Sequence, residues 1–189
     1  RLMTEGSRTQ ARQRLGADQF RWLCERSAKQ WIAQDQQQFL FHGLNLLAMD
    51  GTTLRLADSA ANRDHFGAQH YANSKVASYP QARGVTLMMV ATQLIRDARF
   101  GPYKTSETTY AHELLTSVPE DSLTIMDKAF LSAQVLCNLV RHGRNRHFLI
   151  PAKSNTKWTL IEGSEVDGLV EMKVSHDARK QDPTLPKTW

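Results

Sequence analysis

The chain has 189 residues, 41% of them hydrophobic, and a formal net charge of +5 with a sequence pI near 9.4. That length supports one domain with a proper core and excludes two large ones. No stretch approaches the roughly 18 apolar residues of a membrane span, and Arg1-Leu-Met-Thr-Glu-Gly-Ser-Arg8 lacks the apolar core of a secretory signal, so a soluble cytoplasmic protein is expected.

The first forty or so residues read as helix, since Phe20, Leu23, Cys24 and Trp31 recur at near-helical spacing among Arg, Gln and Glu. The texture changes at His42. Leu44 to Asp50 is an apolar strand that ends on an acid, and after Gly51 the alternating Thr52 to Ala57 reads as the return strand of a hairpin. Residues 58–79 are polar and read as loop with a short helix. Gly84 to Ile95 is a long β-rich run, the third strand, ending near Phe100-Gly-Pro102.

Thr105 to Val118 reads as a helix with Leu114, Leu115 and Val118 on one face, stopped by Pro119. Ser122 to Asp127 is a short apolar strand that again ends on an acid. Ser132 can cap a helix with Val135, Leu136, Leu139 and Val140 in one stripe and Gly143 as its stop. His147 to Ile150 reads as a further buried strand, closed by Pro151. Three strands, helix, strand, helix, strand is the order of a mixed α/β sheet with helices packed on it. Segments between Lys157 and Ser175 suggest appended β-structure. The division expected is a helical segment over 1–41, a core over 42–153 and a β-rich insertion starting at 154. The two cysteines, Cys24 and Cys137, lie in apolar helical contexts without metal spacing and are expected as reduced, buried thiols.

Charge is uneven. Arg141, Arg144, Arg146, Lys153 and Lys157, with His142 and His147, follow one another without an acid between them. Such a run can track phosphates or simply form a solvated face. Asp50 and Asp127 share a context, each directly following an apolar strand. On neighbouring strands two such carboxylates converge on one Mg²⁺ or Mn²⁺, hard cations that accept carboxylate oxygens and keep water or phosphate oxygens in their other positions. An acid after a strand also serves as a turn residue or helix cap. His65 and His70, five positions apart, suit surface positions better than a metal pair.

These segments together resemble the DDE transposases of bacterial insertion sequences, in particular the insertion sequence 4 family. The resemblance runs through Leu47-Ala-Met-Asp50-Gly-Thr-Thr-Leu-Arg55, Asn62-Arg-Asp-His-Phe-Gly67, Pro80-Gln-Ala-Arg-Gly-Val-Thr-Leu87, Glu107, Leu123-Thr-Ile-Met-Asp127-Lys-Ala-Phe-Leu-Ser132 and His147-Phe-Leu-Ile-Pro-Ala-Lys153. It implies a ribonuclease-H-like mixed sheet with flanking helices. It also implies that Asp50 and Asp127, on the first and fourth strands, are the first two acids of an Asp-Asp-Glu triad holding Mg²⁺ or Mn²⁺ for cleavage and strand transfer at transposon ends. Double-stranded DNA, as transposon end and as target, is the implied partner, with the complete protein a homo-oligomer in the nucleoid-bearing cytoplasm of a bacterium. Arg55, Lys75, Lys128, Arg144, Arg146 and Lys153 are the candidate DNA-backbone contacts, and Trp158 is a candidate for base stacking or for plain packing.

Two departures from the family pattern stand out. Lys128 occupies the place of an Arg, keeping the charge and losing the bidentate fork. No segment matches the helix Tyr-x-x-Arg-x-x-x-Glu-x-x-x-x-x-x-Lys that carries the third acid, so the chain reads as truncated and, alone, weakly active or inactive. The alternatives are a nuclease on the same fold, a non-catalytic DNA-binding or regulatory remnant, and an α/β domain with no nucleic-acid role.

Overall fold

A computed structural model describes residues 4–35, 40–70 and 76–189. Its centre is a five-stranded mixed sheet in which β1 (Asn45–Arg55) pairs antiparallel with β2 (Gln81–Met89) and parallel with β4 (Ser122–Met126). β3 (Ile95–Pro102) extends the antiparallel side, β5 (Arg146–Leu149) the parallel side, and the order is β3-β2-β1-β4-β5. Three antiparallel strands followed by two parallel to the first make the mixed sheet with flanking helices expected of a ribonuclease-H-like core.

Alternation along the strands gives the sheet two unlike faces. Leu47, Met49, Val85, Leu87, Met89 and Met126 are buried on one. They share a core with Tyr110, Ala111 and Leu114 of α3 (Glu107–Leu114) and Val135, Leu136 and Leu139 of α4 (Ala133–Arg141). Leu46, Ala48, Met88, Leu123 and Ile125, on the other face, are only half-buried. Serines start the helices: Ser106 accepts from the Thr109 N–H and Ser132 from that of Val135, and Ser59 does the same for α2 (Ala60–Phe66).

Four expectations are corrected. β1 continues straight through Gly51 instead of turning, because its second half pairs with β2 as far as Arg55 opposite Gln81. The run Gly84 to Ile95 is the strand that turns back, with Gln93 at φ 56° between β2 and β3. β5 is an edge strand of alternating exposure, so Leu149 is exposed while Arg146 is buried. The helix α1 (Glu5–Asp35), broken at Gly16, meets the body at β3 and buries Ala28 and Ile32; Phe20, Leu23, Cys24 and Trp31 are exposed, and Cys137 is half-buried. Burial pushes the Cys137 thiol up, Arg141 draws it down and Asp182 raises it, with a net rise.

Beyond β5 lie the hairpin β6 (Thr159–Gly163) and β7 (Gly168–Glu171) and then α5 (His176–Gln181), capped by Ser175. The last residues return to the body. Trp189 exchanges two backbone hydrogen bonds with Met172, and its ring centroid lies 6.4 Å from that of Phe148.

Candidate active site

Register brings the two acids together. Met49 of β1 lies opposite Met126 of β4 in a parallel pair, so Asp50 and Asp127 occupy the next level of adjacent strands. Neighbouring strands are about 4.8 Å apart. Both methionines point into the core, so both aspartates, one residue on, leave the sheet on its open side, where they are exposed. Asp50 accepts from the Gly51 N–H at 2.8 Å. Asp127 caps a 3-10 turn, Lys128–Phe130, by accepting from the Ala129 N–H at 2.5 Å, and buried Phe130 anchors that turn in the core. Each bond engages one carboxylate oxygen, and among the described residues no other hydrogen bond or ion pair reaches either group.

Two exposed carboxylates on one sheet edge, each with an oxygen to spare, fit a hard divalent cation that completes its shell with water or phosphate. Among the described residues no group of three or more His, Cys, Asp or Glu side chains could hold a metal.

A third acid stands close behind. Glu107, in the first turn of α3, lays its carboxylate against Gly51: a Cβ built on that glycine would meet Glu107 Cδ at 2.6 Å. Its Oε1 is 3.8 Å from Arg83 Nε, and Arg83 in turn lies 4.2 Å over the Tyr103 ring and donates to the Thr105 carbonyl at 3.3 Å. This contact was hidden in the sequence, where Gly51 read as a turn residue. The motif segments containing Gly51, Arg83 and Glu107 were visible, but nothing linear joined them.

The basic candidates divide. Lys128 follows Asp127 directly and is exposed, and Lys153 lies beyond the end of β5, at the same edge as the acids because β1, β4 and β5 are parallel. Arg55 sits farther out on β1, 4.0 Å over the Tyr79 ring. Lys75 lies outside the described residues. Arg144 and Arg146 are at the opposite edge. Arg144 is bound to Asp121, with Nη2 to Oδ2 at 2.8 Å, and to Glu120 at 3.1 Å. The Asn145 amide, with Arg144, holds the Asp121 carboxyl below its ordinary value against the opposing effect of burial. Arg146 is buried and donates to the carbonyls of Leu115 and Val118, a structural task that removes it from the DNA-contact candidates. Gly143 serves the same arginine. The cap of α4 is His142, whereas a Cβ on Gly143 would lie 2.0 Å from Arg146 Nε.

His65 stacks edge-on against Phe66, and His70 forms an isolated bridge with Val76. Trp158 is half-exposed.

Comparison with known proteins adds three findings. Residues 41–189 match the family model described as "Transposase DDE domain". Two Escherichia coli (strain K12) proteins, "Putative transposase InsZ" and "Transposase InsG for insertion sequence element IS4", are each 34% identical to the chain over 177 residues, 93% of its length. The match covers 59% of the first and 40% of the second, so the chain spans about half the length of these relatives. A solved structure, a piggyBac transposase synaptic complex with hairpin DNA, matches at 15% identity with a TM-score of 0.44, over 60% of this chain and 24% of the other.

Proposed function

We propose, from the premise that this chain belongs to the transposase DDE domain family, that it is the part of a DNA transposase core that supplies two of the metal-binding carboxylates, Asp50 and Asp127. The observation that carries the reading is the Met49–Met126 register, which delivers both acids to one open edge of the sheet. A divalent cation, Mg²⁺ or Mn²⁺, would activate a water or a DNA 3′ hydroxyl and stabilise the leaving oxygen of a phosphodiester. The chain's own residues orient it. Asp50 and Asp127 each have one oxygen held by a backbone N–H and one with no hydrogen bond among the described residues. Lys128 sets a cation next to the site, where it can contact phosphate as a point charge, and Lys153 extends the positive character along the same edge, whereas Arg55, five residues from Asp50 on β1, leaves the sheet on the other face.

The substrate is double-stranded DNA at transposon ends and at the target, worked on by a homo-oligomer of the longer protein in the bacterial nucleoid. The third acid of the triad is supplied from outside this segment, so these 189 residues alone bind metal weakly and cut DNA slowly or not at all. The test is calorimetric titration of the chain with Mn²⁺. Weak binding is expected for the native chain, with at least a tenfold loss in Asp50→Asn and in Asp127→Asn. Unchanged binding in both variants would overturn the assignment, and efficient cleavage of inverted-repeat DNA by the native chain would overturn the need for a further acid.

A further inference from the structure

We propose that a lysine-lined cleft beside the two acids is a separate seat for the phosphate backbone of duplex DNA. The proposal rests on the reading of this chain as a DNA-processing domain, and locates on it a contact surface distinct from the carboxylate pair.

The cleft has a volume of about 760 Å³. Three lysines from two segments line it: Lys153 and Lys157 on the loop between β5 and β6, and Lys173 after β7. The convergence is a product of the fold, since Lys173 lies outside the linear basic run and across a hairpin from its partners. All three are exposed, and among the described residues none forms an ion pair. Glu171 is the only acid in the lining. Three lysines against one carboxylate leave the cleft with a net positive charge that favours an anion.

The walls reinforce the sign. The first turn of α4, at Ser132 to Gln134, borders the cleft and adds the partial positive charge of a helix N-terminus, whereas that of α3, which borders the cleft at Thr108, is offset by Glu107. Location decides what kind of anion. Leu131 and Ser132 in the lining follow Asp127 within five residues, and Lys153 follows β5 at the edge shared with the acids. A strand held at the acids therefore runs past the cleft. The cleft is open and its charges are mobile, solvated ammonium groups with Gln134 and Asn155 amides between them, which suits successive phosphates of a polymer better than one enclosed anion.

The experiment is the salt dependence of binding to a random 30-base-pair duplex, followed by fluorescence anisotropy in EDTA so that the acids hold no metal. Each phosphate contact contributes about 0.9 to the slope of log K against log salt. The combined variant Lys153→Gln, Lys157→Gln, Lys173→Gln is expected to lower that slope by roughly two to three and to weaken binding at low salt at least tenfold, on the same count of contacts. The matching control, Arg8→Gln, Arg12→Gln, Arg14→Gln on α1, is expected to change it less. A slope in the cleft variant equal to that of the native chain, or a larger drop in the control, overturns the cleft while leaving DNA binding intact. Failure of the native chain to bind duplex at any salt overturns the DNA reading and the cleft with it. Single substitutions guard against a folding artefact, because each should remove about one third of the combined effect.

Discussion

The carboxylate of Glu107 occupies the space that a side chain at position 51 would need, with Glu107 Cδ 2.6 Å from the place of the missing Cβ. Glycine at 51 is thus explained by a helix packed on the strand, since the backbone there is extended and needs no special φ.

The first prediction follows. Gly51→Ala should push the Glu107 carboxylate, the flexible end of a partly exposed side chain, away from Arg83, at a cost of about 1 kcal/mol or less, the low end of the overpacking range. Glu107→Ala should relieve most of that cost. A double-mutant cycle by chemical denaturation reads the coupling, and strictly additive effects would show that the contact carries no energy.

Arg146 gives the second. It is buried and holds the carbonyls of Leu115 and Val118. Arg146→Ala leaves the Val118 carbonyl without its donor, while the Leu115 carbonyl keeps the Val118 N–H, so at about 1–3 kcal/mol for one stranded group the loss should be about 1–3 kcal/mol. Urea unfolding measures it, and a loss below 1 kcal/mol would mean that water replaces the guanidinium.

Thr124 predicts a gain. It is fully buried on β4 between Leu47 and Phe148, and its hydroxyl has no partner. Thr124→Val keeps the shape and removes the unpaired hydroxyl, so stability should rise by about 1 kcal/mol, seen as a higher Tm.

Acid sensitivity should centre on Asp97. Burial raises its pKa, but hydrogen bonds from the Ser117 hydroxyl at 2.5 Å, Arg99 at 2.6 Å and the Ala98 N–H at 2.8 Å outweigh that and hold it below its ordinary 3.8. A depressed carboxyl stabilises the fold above its unfolded value and loses that contribution as pH falls through the folded one. Between about pH 5 and pH 2, Asp97→Asn should therefore show a shallower loss of unfolding free energy than the native chain. Parallel curves would assign the acid limb to other groups.

Much of the architecture was legible. Apolar runs that stop on Asp50 and Asp127, and serines three residues ahead of helical N–H groups, are local signals, and β4 and α4 formed where they pointed. The misreadings were also physical. Gly51 is punctuation in most sequences, but here the length of β2 demands a long β1. The actual turn, Val90 to Leu94, lacks Gly, Pro and Asn, so its positive-φ residue, Gln93, gave no warning.

The sequence alone determined the element types, the strand ends that carry the acids and the family they resemble, because these depend on neighbours a few residues apart. Only the tertiary structure decided who meets whom: Asp50 with Asp127 through register, Glu107 with Gly51 through helix packing, and Lys173 with Lys153 across a cleft. It also split the basic run. A strand advances about 3.3 Å per residue, so β5 and the residues after it separate Arg146 from Lys153 to opposite edges of the sheet, where one secures the core and the other lies at the acids' edge.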